Sequence, residues 1–289
     1  MNEGAVIERI GVVGGGQMGA GIAEVAAKAE MDVIVIEATT AAAEAARDRI
    51  DASLERAARS GKIQPEEHAA IMDRLRFGDD VGQLADRDLV IEAIVENEGA
   101  KTATFRAVDE ILKSDDAIIA SNTSSIPIMK LAMATQRPEN VIGIHFFNPV
   151  PVLHLVELVT SLHTSPDTVA RAESFAASQL KKRTIHSKDR AGFIVNALLI
   201  PYILSAIRMF ESGFASKEDI DDGMVTGCAH PMGPLALADL IGLDTTMAVA
   251  ESLYDEFREQ LYAPPPLLAR MVEAGLLGRK AGRGFYDYS

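Results

Sequence analysis

VIERIGVVGGGQMGAGIAEVAAKAEMDVIVIE, residues 6–37, decides the architecture of this chain. Residues 6–13 form a short apolar run that reads as a strand. QMGAGIAEVAAKA (17–29) has helical spacing and high helix propensity. MDVIVIE (31–37) reads as a second, fully buried strand. Between the first strand and the helix, Gly14, Gly16 and Gly19 give G-x-G-x-x-G. In such a turn the first glycine allows the tight bend. The second lets backbone approach a pyrophosphate, and the third lets helix and strand pack closely.

Working outward, the same alternation continues. A long Ala-rich amphipathic stretch runs from Thr40 to Ser60. DLVIEAIVE (88–96) reads as a strand, KTATFRAVDEIL (101–112) as a helix, and AIIASNTSS (117–125) as a strand ending in a polar turn. VIGIHFF (141–147) and LHLVELV (153–159) add two more strands. Strands alternating with helices predict a doubly wound, mostly parallel sheet of the Rossmann type. After Lys188 the pattern changes. AGFIVNALLIPYILSAIRMFESG (191–213) reads as one long apolar helix with Pro201 as a kink or break. Further helices follow, separated by Gly and Pro turns. The expected class is therefore α/β, with a Rossmann-type domain over 1–188 and an all-α domain over 189–289.

Composition narrows the function. Of 289 residues, 48% are hydrophobic and 24% charged, ordinary for a chain with a full core, while Trp is absent and aromatics reach only 5%. A core of Ala, Val, Ile, Leu and Met suits helices laid on a parallel sheet. The net charge of −14 argues against nucleic acid as partner, since binding phosphates broadly needs a basic surface. Cys228 is the single cysteine, so no intrachain disulfide can form, which fits a reducing compartment. The start MNEGAVIERI has the character of neither a signal nor a transit peptide, and no apolar run is long enough for a membrane span. The expectation is a cytoplasmic protein without a membrane partner. No spacing among His, Asp, Glu and Cys228 suggests a metal site.

The glycine turn points to a dinucleotide. The helix start at Gln17 and Met18 offers N–H groups and a partial positive charge to phosphates. Glu37 closes the second strand about 20 residues on, where a carboxylate accepts hydrogen bonds from the adenosine ribose hydroxyls. A carboxylate there would repel the 2′-phosphate of NADP, so NAD is the expected cofactor.

The segments SNTSSIPI (121–128), GIHFFNPVPVLHLVELV (143–159), KDRAGFIVNALLIPY (188–202) and GRKAGRGFYDY (278–288) follow one another in an order that resembles the 3-hydroxyacyl-CoA dehydrogenase family. The resemblance covers nearly the whole chain. It implies interconversion of an L-3-hydroxyacyl-CoA and a 3-ketoacyl-CoA with NAD, a reaction of fatty acid metabolism. The family pairs a histidine with a glutamate, here His145 and Glu157. The carboxylate orients the imidazole and stabilises its protonated form, as in the orienting logic of a serine-protease triad. The chemistry agrees: oxidising an alcohol needs a base for the hydroxyl proton, and histidine titrates near working pH. The resemblance also assigns Ser124 to a hydrogen bond with the reacting oxygen and Asn196 to the substrate's polarised carbonyl. It carries Glu96, Lys101, Asn148 and Lys280 over to the cofactor site, and Ser53 and Lys62 to the CoA moiety.

Some positions depart from the family. Glu37 stands where Asp is usual, and Ala191 replaces a common proline. Glu98–Gly99 interrupts what is usually a helix-forming approach to Lys101. Of the other histidines, His68, His163 and His186 read as solvent-facing, and His154 falls on the opposite strand face from Glu157. His230 precedes PMGP in a helical linker. The all-round apolar helix 191–213 needs cover on every side, which predicts, as in the family, a homodimer joined through C-terminal helices. Two alternatives remain: an L-gulonate-type sugar-acid dehydrogenase, and a non-catalytic NAD-binding protein.

Overall fold

A computed structural model describes residues 6–289 of the protein. The chain divides into two compact units, one ending at Asp189 and one beginning at Arg190.

The first unit carries β1 (Arg9–Val13), α1 (Gln17–Lys28), β2 (Asp32–Ile36), α2 (Thr40–Arg59), α3 (Pro65–Asp73), β3 (Leu75–Gly78) and β4 (Leu89–Glu92). It continues with α4 (Glu98–Ile111), β5 (Ile118–Ser121), α5 (Ile128–Ala132), β6 (Val141–Phe146), β7 (Leu155–Thr160), α6 (Pro166–Glu173) and β8 (Arg183–Lys188). The strands form one eight-stranded sheet in the order β3-β2-β1-β4-β5-β6-β7-β8. All neighbours are parallel except β6 and β7, which run antiparallel. The chain moves outward from β1 to β3, then returns to the other side of β1 with β4. That reversal opens a crevice beyond the carboxyl ends of β1 and β4, where open α/β sheets hold their ligands.

Burial follows from the two-sided cover. β4, β5 and β6 are buried along their whole length, as apolar strands between helical layers must be. Ile10, Val12, Val33, Val35, Ile91 and Ile144 join α1's Ile22 and Ala26 in a single core. At roughly 25 cal/mol per Å² of apolar surface, this burial is the main term holding the unit together.

The polar edge explains what the sequence reading missed. β8, RTIHSK, has only exposed and half-buried residues at the rim of the sheet, so its apolar signal is weak. α3 has one buried residue, Ile71, and is set by Pro65 and a capping box between Gln64 and Glu67. Two expectations need correction. Glu98 and Gly99 do not interrupt α4 but form its first turn, because Asn97 caps it by accepting the Ala100 N–H at 2.9 Å. His154 lies before β7, not on it.

The second unit contains α7 (Val195–Glu211), α8 (Lys217–Cys228), α9 (Pro234–Ile241), α10 (Leu243–Phe257) and α11 (Pro266–Glu273) around a core that includes Ile203, Leu204, Ile207, Leu235 and Leu253. The long helix expected from residue 191 starts only at Val195. Gly192 and Phe193 have φ of +74° and +49°, outside the helical region. Pro201 lies inside α7 and does not break it. Buried Asp239 accepts the Phe285 and Tyr286 N–H groups, both at 2.9 Å, which fastens the C-terminal segment to α9.

Candidate active site

The glycine turn is built as its sequence requires. Gly14 has φ +94°, a conformation that side-chain-bearing residues rarely adopt. A Cβ at Gly19 would stand 1.7 Å from the Gly14 carbonyl oxygen, so only glycine lets α1 approach β1 this closely. Gly16 begins α1 with no side-chain cap, and the space a Cβ would occupy there is open. The first-turn N–H groups therefore face a gap that suits an anion. Glu37 follows β2 and bends back, accepting the Gly15 N–H on Oε1 at 2.6 Å. A pyrophosphate at the helix start and a ribose at Glu37 fit the residues present.

On the far side of the switch point, β6 and β7 place His145 directly opposite Glu157 in antiparallel register. Side chains opposed in this way share one sheet face. The twelve-residue separation in sequence is thus the span of one strand end, the FNPVPVL connection and one strand start. His145 Nδ1 and Glu157 Oε2 are 2.7 Å apart, with His145 6% exposed and Glu157 fully buried. The Phe147 ring lies 4.6 Å from the imidazole, centroid to centroid. β6 runs parallel to β1, so His145 sits toward the same carboxyl edge as the glycine turn.

The turn after β5 is held by a buried charge cluster. Glu92, at the end of β4, accepts from Lys101 Nζ at 2.6 Å, from the Ile94 N–H at 2.7 Å and from Ser121 Oγ at 2.6 Å. Lys101 is also 3.2 Å from Glu96. Glu96 in turn accepts from the hydroxyls of Thr123 and Ser125 and from the Ser124 N–H at 3.1 Å. Burial works against the charge on Glu96, but the Lys101 ammonium and the Thr123 and Ser125 hydroxyls outweigh it and hold its carboxyl below the ordinary range. The next residue, Asn122, accepts the Phe146 N–H on Oδ1 at 2.8 Å, tying the turn to the strand of His145.

Residues 9–190 match the family model for the 3-hydroxyacyl-CoA dehydrogenase NAD binding domain, and residues 192–288 match that for the 3-hydroxyacyl-CoA dehydrogenase C-terminal domain. The chain belongs to the 3-hydroxyacyl-CoA dehydrogenase family. It is 55% identical over 282 residues to the 3-hydroxybutyryl-CoA dehydrogenase of Mycobacterium tuberculosis, which covers 98% of this chain and 99% of that one. Among solved structures, M. tuberculosis FadB2 gives a TM-score of 0.97 at 55% identity, covering 99% of this chain and 100% of that one. The (S)-3-hydroxybutyryl-CoA dehydrogenase of Ralstonia eutropha gives 0.92 at 45% identity, covering 98% and 99%.

Within this member of the family, several expected site residues stand together. Gln17 donates to Asn148 Oδ1 at 3.0 Å, joining the start of α1 to the loop after His145. Met18 packs half-buried against the core. Ser124 is half-buried in the turn that Glu96 organises. Lys101 is 1% exposed and engaged by Glu92 and Glu96. Ser53 is half-buried on α2, and Lys62 is exposed beyond its end. Asn196 lies in the first turn of α7, half-buried, and Lys280 pairs with Asp244 at 2.6 Å; both belong to the second unit.

Two histidines expected to face solvent have acidic partners. His68 Nε2 is 2.6 Å from Asp51, and His186 Nε2 is 2.8 Å from Glu173. His230 Nδ1 is 3.1 Å from the Tyr202 hydroxyl. The sequence reading does not single out Glu92, Asn122 or Lys182. The first carries a readable signal, a carboxylate ending an otherwise apolar strand. Lys182 does not: its ammonium is buried and donates to the Val150 and Leu153 carbonyls, both at 2.6 Å, bracing the loop after His145. Burial, helped by Lys28, pushes its pKa down.

Proposed function

We propose that this chain is an NAD-dependent 3-hydroxyacyl-CoA dehydrogenase in which His145 is the general base and acid and Glu157 its orienting partner. The observation that carries this reading is the 2.7 Å contact between His145 Nδ1 and Glu157 Oε2, buried on the strand pair β6–β7. With Nδ1–H given to the carboxylate, Nε2 is the ring nitrogen that takes the hydroxyl proton. The imidazolium that results is balanced by the buried carboxylate 2.7 Å away. In the reverse direction the same nitrogen returns the proton to the carbonyl oxygen.

NAD, when bound, supplies the hydride acceptor. Gly14, Gly16, Gly19 and the start of α1 at Gln17 and Met18 would hold its pyrophosphate, and Glu37 its adenosine ribose. Asn148, Glu96, Lys101 and Lys280 are assigned to the cofactor region by the resemblance. Ser124 is assigned to the reacting oxygen: its N–H is tied to Glu96, and its hydroxyl makes no hydrogen bond among the described residues. Asn196 is assigned to the substrate carbonyl, and Ser53 and Lys62 to the CoA moiety. The curated relative in M. tuberculosis is named for a four-carbon substrate, 3-hydroxybutyryl-CoA, and a short acyl chain is the substrate we assign here.

The experiment compares NADH oxidation with acetoacetyl-CoA and NAD reduction with L-gulonate. Turnover of the thioester alone supports the reading. Turnover of gulonate alone, or NADH binding with no turnover of either, sinks it.

We also assign a homodimer formed through the helical unit. Leu198 on α7 and Phe214 beyond its end are 73% and 78% exposed, apolar surface that a second copy of the unit would cover. Light scattering at micromolar protein should give twice the chain mass; a stable, active monomer contradicts the assignment. Among the described residues no helix is long and apolar enough to cross a membrane. The lone exposed thiol of Cys228 suits a reducing cytoplasm, the compartment we assign.

A further inference from the structure

The second residue of the glycine turn, Gly15, is held from both sides. Its N–H goes to Glu37 Oε1 at 2.6 Å, and its carbonyl accepts from Arg49 Nη1 at 2.7 Å. α2 reaches the turn because Ala46, one helical turn before Arg49, is small and buried: a Cβ on Gly15 would stand 2.3 Å from Ala46 Cβ. Arg49 therefore projects from the same face of α2 that touches the turn.

Arg49 is exposed, and its hydrogen bonds among the described residues come from Nη1 alone, to Gly15 and to Ala45 at 3.5 Å. A guanidinium has five N–H donors in a fixed fork, so Nε and Nη2 keep capacity for an anion. Arg49 forms no salt bridge among the described residues, in a chain whose net charge is −14. Glu37 and Arg49 grip opposite ends of one glycine, so their charged heads lie within about a Debye length of each other. Glu37 is the group expected to repel a phosphate on the adenosine ribose, and an arginine nearby is the group that accommodates one.

We infer that Arg49 is a specificity-determining residue for the cofactor. Its guanidinium offsets the Glu37 carboxylate and narrows the discrimination between NAD(H) and NADP(H) that the acid alone would impose. NAD remains preferred, because the carboxylate stands at the ribose and the arginine is exposed and screened. The inference rests on the cofactor reading given above.

Binding, not turnover, tests it. Dissociation constants for NADH and NADPH are measured from reduced-nicotinamide fluorescence in the wild type, Arg49→Ala and Arg49→Lys, at low and high salt. We expect Arg49→Ala to raise the NADPH-to-NADH ratio of dissociation constants about three- to fivefold at low salt, the range of an exposed ion pair. Arg49→Lys, which keeps the charge, should stay near the wild-type ratio. The Ala effect should shrink near 1 M salt, where screening acts within about 3 Å. A ratio in Arg49→Ala within twofold of wild type at low salt overturns the inference and leaves NAD binding intact. Failure of the wild type to bind NADH overturns the cofactor reading itself, and the inference with it.

Discussion

Two buried acids at the carboxyl edge of the sheet, Glu92 and Glu157, are each within 2.7 Å of a nitrogen-bearing side chain and are put to different use. Glu92 is 1% exposed and meets an ammonium, a hydroxyl and a backbone N–H. These contacts tie β4, α4 and the end of β5 to one another. Glu157 instead faces an imidazole across two antiparallel strands. Imidazole is the side chain whose charge changes between pH 5 and 8. In the reading proposed above, the first arrangement holds its surroundings still and the second passes the proton. Buried charge at a ligand-binding edge therefore does not itself mark catalysis. What marks it is a partner able to change its charge.

The largest effect that would break this contrast comes from the imidazole. His145→Gln keeps the size and a hydrogen-bonding head but removes the proposed base, so kcat should fall on the order of 10²–10⁴. NADH affinity and melting temperature should move little. Steady-state rates with acetoacetyl-CoA, alongside NADH titration, check this. A rate within threefold of wild type removes His145 from the mechanism. Glu157→Gln should also lower kcat, by less, because the ring keeps its position but loses its counter-charge.

Lys101→Met should show the opposite profile. Removing one member of a buried ion pair strands the other, at about 3–5 kcal/mol. The Ser121 hydroxyl and Ile94 N–H still serve Glu92, which puts the loss near the lower end. Urea unfolding should reveal it. The double variant Lys101→Met with Glu92→Leu should recover part of the loss, since no buried charge is then left alone. If the double variant is as unstable as the sum of the two single ones, the coupling is absent.

How far the sequence disclosed these sites depended on how local their causes are. The turn at Gly14 and Gly19, the start of α1 and the acid at Glu37 are dictated by neighbours within one βαβ unit, so strand period and glycine spacing make them readable. His145 and Glu157 were found through the family's motifs. Their twelve-residue spacing acquires its meaning only once β6 and β7 pair antiparallel. The Glu92 cluster brings together β4, α4 and the end of β5. Lys182 braces a loop about 30 residues away in sequence. Such contacts leave no periodic trace. β8 was missed because a polar rim strand lacks the apolar run that marks the interior ones. The start of α4 was misread even though Asn97, three residues before Ala100, is an ordinary cap.

The smallest effect sharpens the comparison in the acid range. Glu96 joins Lys101 to the turn carrying Ser124, and about a third of its side chain is open to solvent. Its carboxyl is held below the ordinary value of 4.5 despite burial, because Lys101, Thr123 and Ser125 favour the charged form. A carboxyl whose folded pKa lies below its unfolded one binds fewer protons when folded. It therefore adds stability that is complete above the unfolded value and is lost as pH falls through the folded one. Glu96→Gln removes that dependence. The wild type should lose slightly more melting temperature than the variant between pH 6 and pH 3, with the gap opening below about pH 4.5. Solvent screening keeps it to a degree or two. If the two curves stay parallel to pH 3, Glu96 is not held in its charged form by Lys101.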